Sequence, residues 1–272
     1  MALGVCHEHL FPKTMKRYII LIMLSIISFG SIHAEVSWSL SNDGTLTIWG
    51  TDMPDYDFNT NPWYSQEAKI KEIIIENGVT KIGSYAFYNC YNLTSVTIPN
   101  SVKSIGDYAF YGCSGLFYVT IPNSVKSIGD YAFYGCSGLY ASYIPNSVES
   151  IGNYTFEECS GLLYVTIPNS VKSIGDGAFY ECSSLTSITI PTSVTSIGNM
   201  AFAGCSDLTH FYIPNSVTSI GQYAFVRCSG LTSITIPTSV TSIGYRAFAG
   251  CSGLTSITIP NSVTRLENGV FI

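Results

Sequence analysis

The residues with the most reactive side chains in this 272-residue sequence are cysteines that recur at one interval. Eight of the nine lie 23 residues apart, at Cys90, Cys113, Cys136, Cys159, Cys182, Cys205, Cys228 and Cys251. Stacked cysteines about 5 Å apart are within reach of disulfide bonding in an exported protein. Each one, however, lies three residues after a phenylalanine, in an apolar setting where a thiol behaves as a small hydrophobic group. We therefore expect buried free thiols, with disulfides as the alternative.

The other polar residues offer little for metal binding or catalysis. No C-x-x-C motif is present, and His210 is the only histidine after residue 34, so zinc sites and nucleophile–histidine pairs lack their usual members. Glu157, Glu158 and Glu181 fall in neighbouring units and could approach as an acid pair, but a solvated acidic edge is the preferred interpretation. We expect no enzyme activity, no metal and no cofactor.

Two further classes of ligand are disfavoured by charge and motif. The acidic loop with Asp52, Asp55 and Asp57 lacks the glycine-anchored ligand spacing of a calcium loop, and no glycine-rich phosphate loop is present. The net charge is −6, with no run of Lys or Arg. A groove that follows nucleic-acid phosphates needs such a basic run, so nucleic acid is not an expected partner.

The elements that would position these residues belong to a repeat of 23 residues. Each unit follows the pattern L-x-x-I-x-I-P-N-S-V-x-x-I-G-x-x-A-F-x-x-C-x-x, as from Leu231 to Gly253, where Thr238 replaces the Asn. The alternating Ile-x-Ile segment predicts a short strand, which the proline ends because it has no N–H. After the glycine, Asp or Asn is placed to cap a helical turn that packs Ala and Phe inward. One unit cannot bury its apolar residues alone, so the units must stack.

This 23-residue unit resembles that of the BspA-type leucine-rich-repeat family of bacterial and protist surface proteins. The resemblance rests on L-x-x-I-x-I and on Pro, Gly, Ala-Phe and Cys at fixed offsets over residues 70–272. It implies a leucine-rich-repeat solenoid, an α/β-type superhelix with a parallel β-sheet on one face and short helical turns on the other. We expect about nine units in residues 69–272, with strands beginning near Ile70 and at Leu93 and every 23 residues to Leu254. The last unit, ending in RLENGVFI, is incomplete.

Two segments precede the repeats. MKRYIILIMLSIISFGSIHA, residues 15–34, has the layout of a secretory signal peptide, and its apolar run is shorter than a membrane span. We expect residues 1–34 to be a signal peptide with an upstream extension of 14 residues, and no stable transmembrane span after cleavage. Residues 35–68 resemble the cap region that precedes such arrays, with a β-hairpin turning at Asn42-Asp43-Gly44 and a short helix starting at Asn61-Pro62.

Candidate binding residues lie on the outward side of the predicted sheet. The first, second and fourth positions after each Leu face solvent on the concave face, and most units fill them with Thr and Ser. Four units differ, and we interpret their residues as a ligand-binding aromatic patch: Phe117, Tyr118, Tyr140, Tyr143, Leu163, Tyr164, His210 and Tyr212. Exposed aromatic clusters mark contact surfaces, although drift among residues that favour strands is the alternative.

One of these units also carries an unusual inward residue. Ser142 occupies a slot that holds Val, Ile or Phe in other units, which predicts a local packing deficit of about 2–4 kcal/mol.

The resemblance implies adhesion, because BspA-like proteins attach to host matrix and serum proteins and mediate contacts between microbial cells. We therefore expect a secreted or cell-surface, adhesin-like protein that binds through the concave face. Its expected partners are host extracellular matrix or serum proteins, or other microbial surfaces, and glycans are a further option. The alternatives are a carbohydrate-binding protein for nutrient capture and an inert structural scaffold.

Overall fold

The computed structural model describes residues 36–272, so the predicted signal peptide lies outside the described residues. Two sets of strands run through this part of the chain. The longer strands form one ten-stranded sheet in the order β1-β2-β3-β5-β7-β9-β11-β13-β15-β17. They are β1 (Ser37–Leu40), β2 (Thr45–Trp49), β3 (Glu72–Ile75), β5 (Ser95–Thr97), β7 (Tyr118–Thr120), β9 (Ala141–Tyr143), β11 (Tyr164–Thr166), β13 (Ser187–Thr189), β15 (His210–Tyr212) and β17 (Ser233–Thr235).

Shorter strands of two residues build a second surface, which the repeat pattern did not predict. They are β4 (Lys81–Ile82), β6 (Ser104–Ile105), β8 (Ser127–Ile128), β10 (Ser150–Ile151), β12 (Ser173–Ile174), β14 (Ser196–Ile197), β16 (Ser219–Ile220), β18 (Ser242–Ile243) and β19 (Arg265–Leu266). They form a three-stranded and a six-stranded sheet. Each pair is parallel, and most pairs place the Ser and Ile of one unit beside those of the next; at the two ends Lys81–Ile82 and Arg265–Leu266 take their place. The pattern Ser-Ile therefore marks this second set of strands in the units from β6 to β18.

The third side of each unit consists of successive turns, and no α-helix is found in residues 36–272. The predicted N-cap residues bond to the next unit instead: Asp107 Oδ1 accepts the Asp130 amide at 2.9 Å, and Asp130 Oδ1 accepts the Asn153 amide at 2.7 Å. Tyr108 has a φ of 56°, which breaks a right-handed helix. Its amide donates to Asp130 O at 3.0 Å. The expected helical turns are thus replaced by turns hydrogen-bonded between units.

The core between these three sides is a set of ladders, one residue per unit. Phenylalanines from Phe87 to Phe248 are fully or almost fully buried, and neighbouring rings have centroids 5.2–5.6 Å apart. The eight repeat cysteines are free and buried, so the prediction of buried thiols is confirmed. From Cys113 onward each Sγ lies 3.0–3.2 Å from the carbonyl of a phenylalanine of the preceding unit. Burial raises the pKa of these thiols, that of Cys251 to about 11, which makes them poor nucleophiles.

At the N-terminal end the sheet begins with an antiparallel hairpin. β1 pairs with β2, and β2 continues in parallel with β3. A 3₁₀ helix, Tyr64–Lys69, follows in place of the helix expected from Asn61. The fully buried Trp63 stacks on Phe87 with centroids 5.6 Å apart, and its Nε1 donates to Ala86 O at 2.7 Å. Trp63 therefore takes the first place in the phenylalanine ladder.

At the other end, the unit that begins at Leu254 forms no strand in the long sheet, contrary to our expectation. Its inward residues Leu254, Ile257 and Ile259 are only half-buried, because the described residues provide no further unit to cover them. This last unit contributes β19 to the six-stranded sheet of short strands, where it pairs with β18.

Candidate binding surface

Six of the eight candidate residues come from three adjacent strands, β7, β9 and β11, and the residues just before them. The backbone register places Tyr118, Ala141 and Tyr164 in one row across the sheet, and Thr120, Tyr143 and Thr166 in another. The inward slot of each strand is buried. Outward side chains on neighbouring strands are about 4.8 Å apart, so the register brings these six residues together.

The aromatic rings of this group contact one another. Phe117 and Tyr140 stack with centroids 5.5 Å apart and planes 21° from parallel, and Tyr140 meets Tyr164 edge-on at 6.1 Å. We call Phe117, Tyr118, Tyr140, Tyr143, Leu163 and Tyr164 the aromatic patch. Its aromatic side chains are 41–63% exposed, although Leu163 is half-buried. Large rings held against one another in contact with water provide ready-made area for a partner.

The patch has no charge of its own. β7, β9 and β11 contain no Asp, Glu, Lys or Arg, and the remaining outward positions are Thr120, Ala141 and Thr166. Tyr118 and Tyr143 make neither ring contacts nor side-chain hydrogen bonds within residues 36–272. Their hydroxyl groups can therefore donate and accept hydrogen bonds with a bound molecule.

His210 and Tyr212 lie apart from the patch. They are on β15, and β13 separates them from β11 with Ser187 and Thr189 at the matching positions. His210 Nδ1 is 3.0 Å from Thr209 Oγ1, and Tyr212 is 63% exposed. The structure thus divides the eight candidate residues into one contiguous group of six and a separate pair.

Ser142 is the inward residue of β9, on the opposite side of the sheet from the aromatic patch, and it is a destabilising position in the core. It is 2% exposed, lies between Val119 and Val165 in the register, and its Oγ has no hydrogen-bond partner. A buried hydroxyl without a partner costs free energy of folding. The predicted packing defect is therefore located directly beneath the Tyr140–Tyr143 strand.

Tyrosines on the turn side form two further rows that face solvent by their edges. One row stacks Tyr85, Tyr108, Tyr131 and Tyr154 at 4.7–4.8 Å, and the other stacks Tyr88, Tyr111 and Tyr134 at 4.3–4.7 Å. These side chains are half-buried, as expected for packing over neighbouring units. Because the ring faces are already covered by the stack, they leave little area for a flat ligand.

Glu157 takes the next place in the second tyrosine row. The side chain is half-buried, unlike the exposed Glu158, so the expected solvated edge does not describe it. Burial, followed by the charges of Glu158 and Glu181, raises the pKa of Glu157 to about 7. The raised pKa is the property of a general acid, but within residues 36–272 no second catalytic group is hydrogen-bonded to it.

The acidic loop near residue 55 is engaged with the protein itself. Asp55 forms an ion pair with Lys81 and accepts the Ser84 amide at 2.8 Å, and Asp52 accepts a hydrogen bond from Thr80. In the part of the chain that the structure describes, no group of three or more His, Cys, Asp or Glu side chains is arranged to hold a metal ion. Over the same residues, no helix has the length and apolar character needed to cross a bilayer.

Comparison with known proteins agrees with this geometry. The family model described as a BspA type leucine rich repeat region, in six copies, matches residues 60–176 and 151–272. The chain belongs to the BspA-type leucine-rich-repeat family. The prediction from the 23-residue unit is therefore confirmed, and the parallel-stranded solenoid is the family's repeat array. No match was found among curated proteins.

Solved structures of bacterial leucine-rich-repeat proteins are similar to this BspA-type chain. A protein from Eubacterium ventriosum is 34% identical with a TM-score of 0.69, and the match covers 86% of this chain and 66% of the other. One from Bacteroides ovatus is 26% identical with a TM-score of 0.59, covering 88% and 78%. A leucine rich cell surface protein from Faecalibacterium prausnitzii is 27% identical with a TM-score of 0.51, covering 91% and 86%. The chain thus spans just under two thirds of the first of these relatives.

Proposed function

We propose that this BspA-type protein is exported, resides at the cell surface or in the medium, and binds other proteins as an adhesin. Two findings support this placement: membership of the family, and similarity to a cell-surface protein of Faecalibacterium prausnitzii. The proposed partners are host extracellular matrix or serum proteins, or proteins on other microbial cells.

The aromatic patch is the observation that carries the proposal. Interface cores are rich in Tyr and Phe and poor in charge, and binding energy concentrates in a few large side chains at their centre. The chain of contacts from Phe117 through Tyr140 to Tyr164 has this composition, surrounded by a rim of Thr and Ser. The patch lies on a hydrogen-bonded sheet, so its residues lose little backbone freedom when a partner binds.

The test is a pull-down with a variant in which four patch tyrosines become threonine, the residue that other units have on this face. The partners offered are immobilised extracellular-matrix proteins, serum proteins and microbial cells. We expect capture by the unmodified protein and a loss of at least about tenfold in the variant, because hot-spot side chains contribute more than 1 kcal/mol each. The substituted residues are Tyr118, Tyr140, Tyr143 and Tyr164.

A matched control replaces Tyr64 and Tyr91, which are exposed but lie away from the long sheet. The control variant should bind like the unmodified protein. Equal capture by the four-tyrosine variant, or equal loss in both variants, would contradict a role for the patch.

Carbohydrate capture is a second candidate, favoured by the row Tyr118–Ala141–Tyr164. The small Ala141 separates two exposed tyrosines by two strand spacings, about 10 Å, which leaves an open step flanked by aromatic rings. A glycan array distinguishes the candidates: specific glycan binding that the same four substitutions remove, without any protein capture, would favour nutrient uptake. If the substitutions change no binding at all, an inert scaffold is favoured.

The proposal includes the absence of enzyme activity. His210 has only Thr209 as a side-chain partner, and Glu157 has no second catalytic group hydrogen-bonded to it within residues 36–272. Polymer hydrolysis by the purified protein that Glu157→Gln abolishes would overturn this part of the proposal.

A further inference from the structure

A groove of about 470 Å³ runs along the turn side of the later units, where the tyrosine rows are interrupted. Its lining includes Val226 and Ala249, smaller residues that take the place that Tyr88, Tyr111 and Tyr134 have in the earlier units. Tyr180 and Tyr223 line the walls. The smaller side chains of Val226 and Ala249 leave the space open, and its volume falls within the range of small-molecule sites.

Two arginines line the same groove and have no carboxylate partner. Arg227 and Arg246 are both exposed, and neither takes part in the ion pairs found in residues 36–272. The guanidinium carbon of Arg246 lies 5.2 Å from the centre of the Tyr245 ring, a contact that holds the side chain without neutralising it. The chain has a net charge of −6, so a groove with two unpaired guanidinium groups differs from the rest of the surface in attracting anions.

The backbone of the groove is fixed, and glycines leave room for the charged side chains. The amides of Glu181, Gly204 and Arg227 each donate to the next unit, at 2.7–2.8 Å. A Cβ on Gly204 would approach the Glu181 carboxylate to within 2.6–2.8 Å, so this carboxylate lies directly over the glycine. Glu181 marks one end of the groove, and the arginines mark the other.

We propose that this groove binds an acidic saccharide, a short sugar chain that carries a carboxylate or sulfate group. Arg227 and Arg246 bind the oxyanion, since the guanidinium fork matches carboxylate and sulfate geometry. Tyr180 and Tyr223 contact the ring, and Glu181 accepts hydrogen bonds from its hydroxyls. Three unit spacings separate the Glu181 turn from the Gly250 turn, about 14 Å, which limits the ligand to a few sugar rings. This site is separate from the aromatic patch and does not depend on the proposed adhesion.

Calorimetric titration of the purified protein tests the proposal with three disaccharides: one sulfated, one containing a uronic acid and one neutral. We expect an acidic disaccharide to bind and the neutral one not to bind, with affinity that falls as ionic strength rises from about 0.05 to about 0.5 M. Binding of only one acidic sugar supports the proposal and identifies the oxyanion. Arg227→Gln and Arg246→Gln should each weaken binding about tenfold, the scale of one charge-assisted hydrogen bond.

Arg265→Gln is the matched control, because Arg265 pairs with Glu267 at 3.0 Å and does not line the groove. All three arginines are exposed, so unchanged thermal melting should accompany each substitution. The proposal fails if neither acidic disaccharide binds, if the neutral sugar binds equally, or if Arg265→Gln is as harmful as the groove variants. It also fails if an acidic peptide of equal charge binds as tightly with the same dependence on Arg227 and Arg246.

Discussion

Ser142→Val is expected to stabilise the protein by filling the one polar slot in the inward column of the long sheet. The serine is 2% exposed, and its hydroxyl has no partner. In the register it lies between Val119 and Val165, so valine at this position would continue a column of the same residue type. The outward neighbours Tyr140 and Tyr143 would keep their positions.

The magnitude follows from two contributions. Burying a valine side chain contributes about 1.5–3 kcal/mol, and removing a buried hydroxyl without a partner recovers about 1–3 kcal/mol. The core has to adjust to the two added methyl groups, and the cost of this adjustment offsets part of these two gains. We therefore expect Ser142→Val to raise the free energy of unfolding by about 2–4 kcal/mol, which corresponds to about 2–4 °C in Tm for each kcal/mol in a chain of this size.

Urea and thermal unfolding, followed by circular dichroism, measure the effect against three controls. Ser142→Ala removes only the hydroxyl and should gain about 1 kcal/mol. Val165→Ser introduces the same defect in the next unit and should lose about 2–4 kcal/mol. Ser187→Val, on the outward face of β13, should change stability by less than about 0.5 kcal/mol. A Ser142→Val protein no more stable than the original would refute the reasoning, since the slot would then be filled or its hydroxyl satisfied.

Two further predictions concern Glu157 and Trp63. At Glu157 the folded-state pKa is raised from 4.5 to about 7, so the folded protein binds more protons than the unfolded chain between these values, and stability falls as pH rises from about 4.5 to 7. The side chain is only half-buried, so solvent screening limits the loss of stability to about 1–2 kcal/mol. Glu157→Gln should therefore make the urea midpoint depend less on pH between these values. A pH dependence equal to that of the unmodified protein would contradict the raised pKa of Glu157. Trp63→Ala should cost about 3–5 kcal/mol, because it empties the end of the phenylalanine ladder. Trp63→Phe, which loses mainly the hydrogen bond to Ala86, should cost about 1 kcal/mol in the same urea titration, and equal losses in the two variants would exclude a packing role for the indole.

The long sheet could be predicted because a strict period fixes which residues face inward. Apolar residues recur at the offsets of Leu116, Val119 and Ile121 in the units of the long sheet, with Ser142 as the exception, and a column that must be buried determines the register of parallel strands. The 23-residue period also suffices to place Tyr140 one strand from Phe117 and His210 two strands beyond Tyr164. The ring geometry within the patch was not predictable, because it depends on rotamers that adjacent side chains select together.

The structure of the turn side could not be predicted from the sequence because many of its hydrogen bonds join neighbouring units rather than nearby residues of one unit. Asp107 followed by Tyr-Ala-Phe has the composition of a capped helical turn, yet Asp107 accepts its bond from Asp130, one unit later. The groove arginines were missed for a related reason: Arg227 and Arg246 are separated by 18 residues and share no motif. Only the stacking of units brings them to one groove, and the signal in the sequence was the loss of tyrosine at Val226 and Ala249.

Each unit of this solenoid contributes one residue to every column, so the outward face and the turn side can change independently. The Tyr140 amide donates to Phe117 O at 3.0 Å beneath the patch, and the Arg227 amide donates to Ala249 O at 2.8 Å beneath the groove. Both surfaces therefore lie on backbone that is fixed before a ligand arrives, which reduces the entropy lost on binding. Ser142 is the position where surface and core are linked, because its defect lowers the stability of the strand that holds Tyr140 and Tyr143. Filling it should slow amide exchange in that strand, and partner affinity should rise if local opening competes with binding.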